Sequence, residues 1–218
     1  NARHRAAPNI YAGELPEMVA TLWPDLRRVA CTTGHVALYI ANGHGAWEAA
    51  NANLFARGGP GGGGGAGRFG FGGAEGPHKG GVGVGGGGGA PPPPADPARI
   101  EAALRADRSG KIRAVLVTHV DTASSVRNDI AAIRAAIDAA GHPALLAVDC
   151  IASLGCDEFR MDDWGVDVMV AASQKGLMVP PGLGFVWFSD KAVAACAGSD
   201  LRTPYWDWRP RAFAEEFW

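Results

Sequence analysis

Five short runs of apolar residues set the tightest limit on what this chain can fold into. They are His35 to Ala41 (HVALYIA), Arg113 to Thr118 (RAVLVT), Ala144 to Asp149 (ALLAVD), Val166 to Ala171 (VDVMVA) and Leu183 to Phe188 (LGFVWF). None alternates apolar with polar, so each reads as a strand covered on both faces. Helical signals lie between them. Asp96-Pro97 is a helix start, with Asp as cap and Pro in the first turn, leading into Ile100 to Leu104. Ile130, Ile133 and Ile137 recur at spacings of three and four, and that helix ends at Gly141 with Pro143 behind it. A further helix runs from Ala46 into Phe55, after the Gly-rich turn Asn42-Gly43-His44-Gly45. The pattern predicts an α/β fold, a mostly parallel sheet with helices on both faces.

In such sheets ligands sit outside the carboxyl ends of the strands. Asp149 ends one run, Thr118-His119 another and Asn42-Gly43 a third, so polar residues converge on one rim. The net charge of −2 argues against a nucleic-acid or acidic-membrane binder. No apolar run approaches the roughly 18 residues of a membrane helix. The start, Asn1-Ala2-Arg3-His4, has no signal-peptide character and reads as a point inside a longer protein. Cys31, Cys150, Cys156 and Cys196 lack metal spacing and read as buried, reduced thiols of a cytoplasmic protein.

One stretch breaks the order. From Gly58 to Pro94 the sequence is nearly all Gly, Ala and Pro, which by composition is a flexible linker. A structureless loop of that length inside a domain is anomalous. It reads as a true insertion, as a corrupted or frame-shifted stretch, or as residues written Gly where their identity was unknown.

Three features carry chemistry. Lys175, one of only four lysines, follows an apolar strand and precedes Leu177-Met178-Val179-Pro180-Pro181. A lysine in a desolvated setting is a nucleophile toward an aldehyde, whereas the plain alternative is a surface lysine in a loop. Asp149, after Ala-Leu-Leu-Ala-Val, needs a cationic or hydrogen-bonding partner to stay charged at a buried strand end. A protonated pyridine nitrogen is one such partner, and a cap or turn role is the alternative. The backbone N–H groups around Gly43, His44 and Gly45 would favour a phosphate. Together they read as an aldehyde trap, a ring anchor and a phosphate cup.

The stretch from Val115 to Ala192 resembles the class V aminotransferases of the alanine/serine/aspartate–glyoxylate type, which have the fold-type I architecture. The matching wording is Val117-Thr118-His119-Val120-Asp121-Thr122, Val148-Asp149-Cys150-Ile151-Ala152-Ser153-Leu154-Gly155, Trp164-Gly165-Val166-Asp167, and Ser173-Gln174-Lys175 with Pro180-Pro181-Gly182-Leu183. Gly45-Ala46-Trp47-Glu48-Ala49-Ala50 resembles the family's phosphate-binding turn and helix. The resemblance implies pyridoxal 5′-phosphate as cofactor, held as a Schiff base on Lys175, with Asp149 on the pyridine nitrogen. It further implies Thr122 on the phenolic oxygen, Gly43, His44, Gly45 and Gln174 at the phosphate, and Phe71 stacked on the ring. Residues 1–30 would be an incomplete N-terminal segment and 31–197 the large cofactor-binding domain. Residues 198–218 would start the connection to a smaller C-terminal domain largely absent from the chain.

The chain departs from the family where strand and helix are replaced by Gly between Phe55 and Asp96. The distance from Trp47 to Asp96-Pro97 still matches the family, favouring altered or unassigned residues over an insertion. The arginine that clamps the substrate carboxylate is expected beyond Trp218. The implied function is transfer of an amino group from serine, alanine or aspartate to glyoxylate or a similar 2-oxo acid, by a cytoplasmic homodimer with no metal, nucleic-acid or membrane partner. The alternatives are a non-catalytic fragment of such an enzyme and a related class V lyase, though no cysteine sits in a recognisable loop for desulfurase chemistry.

Overall fold

The computed structural model describes residues 9, 11–56 and 94–212. Its centre is a five-stranded sheet of β1 (His35–Ile40), β2 (Ala114–Thr118), β3 (Leu145–Asp149), β4 (Val168–Ala172) and β5 (Leu183–Phe188). The spatial order is β1-β5-β4-β3-β2. β2, β3 and β4 pair in parallel, with Thr118 opposite Asp149 and Asp149 opposite Val170. β5 runs antiparallel to both β4 and β1. β1 therefore points the same way as β2 to β4, and the reversed strand is the one departure from a parallel sheet.

The apolar runs become strands because both of their faces are buried. On one side Val36, Val117, Val148, Met169 and Trp187 pack against α1 (Glu14–Ala30), α3 (Pro97–Ala106) and α4 (Ile130–Ala139) through residues such as Trp23, Leu26, Ile100 and Ile133. On the other side Ala37, Tyr39, Ala147, Val170 and Phe188 pack against α2 (Gly43–Leu54), α5 (Asp190–Ala195) and α6 (Arg209–Ala212). Residues adjacent in a strand fall in opposite clusters, as the pleat requires.

The caps are legible chemistry. Asp96 accepts from the Ala98 N–H and Asp129 from the Ala132 N–H. The tail returns onto the α2 face, where Trp208 stacks on Phe188 at 4.2 Å and the fully buried Asn53 donates to the Trp206 carbonyl at 2.7 Å. Of the four cysteines, Cys150 and Cys196 are buried but Cys31 and Cys156 are exposed, which corrects the expectation that all four are core thiols. Cys31 follows α1 with a left-handed backbone, and Cys156 lies in the loop after β3.

Candidate active site

Asp149 is the last residue of β3 and lies on the α2 side of the sheet, 6% exposed. Its Oδ1 accepts the Ile151 backbone N–H at 2.8 Å, and its Oδ2 accepts the Trp47 indole N–H at 2.8 Å. Among the described residues no cation lies within ion-pair distance of it. Burial pushes the Asp149 carboxyl above the usual carboxylate range. The indole and Ile151 bonds and the charges of His44 and Lys175 act in the opposite direction.

Trp47 reaches Asp149 because α2 begins at this rim and packs on β4 and β5. The predicted Gly-rich turn is in fact the first turn of that helix. Asn42 caps it, its side-chain oxygen accepting from the N–H groups of His44 at 3.0 Å and Gly45 at 3.2 Å. Two of the amides expected to cradle a phosphate are thus already bonded. Gly43 and Gly45 also have packing reasons to be glycine. A Cβ at Gly43 would lie 2.4 Å from Ile151 Cδ1, and one at Gly45 would lie 2.6 Å from Ala41 Cβ. His44 is exposed beside them.

Lys175 lies on the turn between β4 and β5, three residues beyond Ala172. The buried Ser173 ties the base of that turn: its N–H bonds the Leu183 carbonyl at 3.0 Å and its hydroxyl donates to the Pro180 carbonyl at 2.8 Å. Gly176 is locked against the loop after β3, since a Cβ there would meet the Leu154 carbonyl oxygen at 2.1 Å. Lys175 and Gln174 are exposed, so the described residues do not desolvate the lysine as its apolar flank led us to expect. The physical reason is that, past Leu177, this flank faces outward, with Met178 88% exposed.

Thr122 is exposed in a turn closed by the Ser125 N–H on the Asp121 carbonyl and by Ser124 on the Asp121 carboxylate. It leaves the sheet at the same rim, four residues past Thr118. His119 does not join the rim. It is 1% exposed, its Nδ1 is 2.9 Å from the Ser153 hydroxyl, and it sits edge-on to Phe159 and Trp164. Desolvation holds its imidazole below the ordinary histidine range. Phe71 lies outside the described residues. Sequence reasoning missed Trp47 as a site residue. Its position one helical turn after Gly43, on a helix starting at the rim, is the signal that could have found it.

The structure thus gathers a buried carboxylate, a capped helix N-terminus and a lysine on a glycine-locked turn at the carboxyl ends of parallel strands. That defines an α/β protein of the kind that binds its ligand at the strand exits. Residues 95–202 match the family model described as Aminotransferase class-V, and over that span the chain belongs to this family. It is 40% identical over 201 residues to a serine–glyoxylate aminotransferase of Methylorubrum extorquens, covering 89% of this chain and 50% of the relative. It is 42% identical over 181 residues to an L-aspartate–glyoxylate aminotransferase of Paracoccus denitrificans, covering 83% of this chain and 46% of the relative. An aspartate aminotransferase of Thermus thermophilus shares the fold with a TM-score of 0.72 at 24% identity, over 97% of this chain and 58% of that one. The chain spans about half the length of the curated relatives it matches. No helix among the described residues is long and apolar enough to cross a membrane.

Proposed function

We propose that this chain is the cofactor-binding part of a pyridoxal-phosphate aminotransferase that moves an amino group from serine, alanine or aspartate to glyoxylate or a similar 2-oxo acid. The observation that carries it is Asp149: a buried carboxylate with two neutral donors and no ion pair among the described residues, within the electrostatic reach of Lys175 and His44. Such a site fits a cationic ring nitrogen. The relatives' names, which pair serine or aspartate with glyoxylate, support the substrate class.

Pyridoxal phosphate, when bound, supplies an electron-poor ring that takes up the charge left as a proton leaves the substrate Cα. Asp149 then holds the proton on the ring nitrogen. The exposed Lys175 amine would take up the cofactor's aldehyde and, once released by the substrate, would carry the proton from the substrate Cα as general base and acid. Because Asn42 already bonds the His44 and Gly45 amides, the His44 and Gln174 side chains would hold the phosphate, with Gly43 at the turn. Thr122 would hold the phenolic oxygen. The exposed Ile40, Met178 and Val179 at the same rim support a second copy covering it, in a cytoplasmic homodimer.

The test is to incubate the purified chain with pyridoxal phosphate, reduce with borohydride and map the modified peptide. Label on Lys175, with the visible band then bleached by serine, alanine or aspartate in parallel single turnovers, is the expected outcome. No band and no label would leave a non-catalytic fragment. A band that none of the three donors bleaches would remove the aminotransferase reading for this chain.

A further inference from the structure

Trp47 supplies the side-chain hydrogen bond that Asp149 receives, across 102 residues of sequence, and its ring is half-buried against the α2-side core. A carboxylate offers about four lone-pair sites. The indole takes one and the Ile151 N–H another, leaving two for a ligand. The groups acting on Asp149 come from three elements. They are Trp47 and His44 from α2, Lys175 from the turn after β4, and the Ile151 N–H just past its own strand end.

The kind of donor matters. An Arg or Lys paired with Asp149 would neutralise it and remove its pull on a ring-nitrogen proton. With no side-chain donor at all, burial would favour the protonated acid, which has no charge to offer. An indole N–H stabilises the ionised form without neutralising it. We infer that Trp47 is a positioning residue: its indole N–H pins Asp149 and keeps it anionic, so that a pyridine nitrogen bound there keeps its proton. This rests on the functional reading above and adds a residue to it.

The experiment follows the ring nitrogen rather than turnover. Pyridoxal phosphate labelled with nitrogen-15 in the ring is added to the 218-residue chain, to Trp47→Phe and to Asp149→Asn, and the ring-nitrogen resonance is followed against pH. The unmodified chain should hold the ring protonated at neutral pH. Trp47→Phe, which keeps the ring's bulk, should lower the pH at which that proton is lost by about one unit and weaken cofactor retention about tenfold, the loss of one hydrogen bond to a charged group. Asp149→Asn should leave the ring unprotonated.

A ring titration unmoved by Trp47→Phe, in a chain that does bind the cofactor, overturns the proposal and spares the functional reading. Failure of the unmodified chain to bind pyridoxal phosphate overturns both. Should Trp47→Phe not fold, the indole N–H resonance of the cofactor-free chain decides. It should titrate with Asp149 and stop titrating in Asp149→Asn, and an indole insensitive to Asp149 ionisation rejects the pairing.

Discussion

Asp149 and Asp167 are equally buried, each 6% exposed, and the fold surrounds them in opposite ways. Asp167 stands where the chain enters β4. It accepts the Leu146 N–H at 2.9 Å and the Ser189 hydroxyl at 3.2 Å, and it has both Arg134 and Lys191 at 3.5 Å. Asp149 stands where the chain leaves β3 and has two neutral donors. A buried charge must be compensated. At the entry end of the sheet the protein does this itself, and the carboxylate is a structural pin. At the exit end it supplies enough to hold the group in place and leaves the positive charge to a ligand. The two ends of one sheet thus separate stability from binding.

If that division holds, the largest loss of stability comes from the entry end. Asp167→Ala should lower unfolding stability by about 3 kcal/mol, because it strands the Leu146 amide and the poorly exposed Arg134. Arg134 would keep its bond to Asp138 at 2.6 Å, while its buried Nε already lacks a partner. Urea unfolding reads the loss, and the folded fraction should still bind pyridoxal phosphate at its original affinity. A drop in affinity without a drop in stability would reverse the assignment of the two ends.

Gly176→Ala should cost less, about 2 kcal/mol, since the new methyl runs into the backbone carbonyl of Leu154, which cannot swing aside. Unlike the change at Asp167, it displaces the turn that carries Lys175, so borohydride labelling of the lysine should fall with it. Gly43→Ala is the control. Its methyl meets the mobile end of Ile151, and a measured cost as large as that at Gly176 would show that the lock between the two loops is not special.

Much of this division was written in the sequence, and what was not has identifiable causes. The apolar runs announced the strands because both faces are covered, and Asp149 stood out as a charge ending such a run. The reversal of β5 hid in an equally apolar run. The ten residues from Ser173 to Gly182 are too few for a parallel crossover, and that spacing was the available signal. The Asn42-Gly43-His44-Gly45 turn proved to be a helix start because one asparagine cap outweighs two glycines. Lys175 was expected among apolar neighbours, but Met178 and its flank point outward, and hydropathy carries no direction. The Trp47–Asp149 bond joins residues 102 positions apart, so no local pattern encodes it.

The smallest expected change is also the most discriminating, because its sign is opposite to the others. Burial raises the Asp149 carboxyl in the folded chain above its unfolded value of 3.8. As pH rises, the unfolded chain therefore releases this proton first. Folding stability falls through the interval between the two values and stays lower above it. Asp149→Asn removes that penalty, although its single side-chain oxygen can replace only one of the two carboxylate oxygens that accept from Trp47 and Ile151, at a cost that does not depend on pH. The variant should therefore gain stability relative to the parent as pH rises from below the unfolded carboxylate value to neutrality. Below the unfolded carboxylate value, where both chains carry a neutral group, the difference between them should no longer change with pH. Thermal melts at the two pH values measure the difference. A difference that stays flat or moves in the parent's favour as pH rises would mean that the indole and amide bonds already offset burial. Asp149 would then be a pin like Asp167, and the contrast between the two ends of the sheet would fail at the residue on which the proposed function rests.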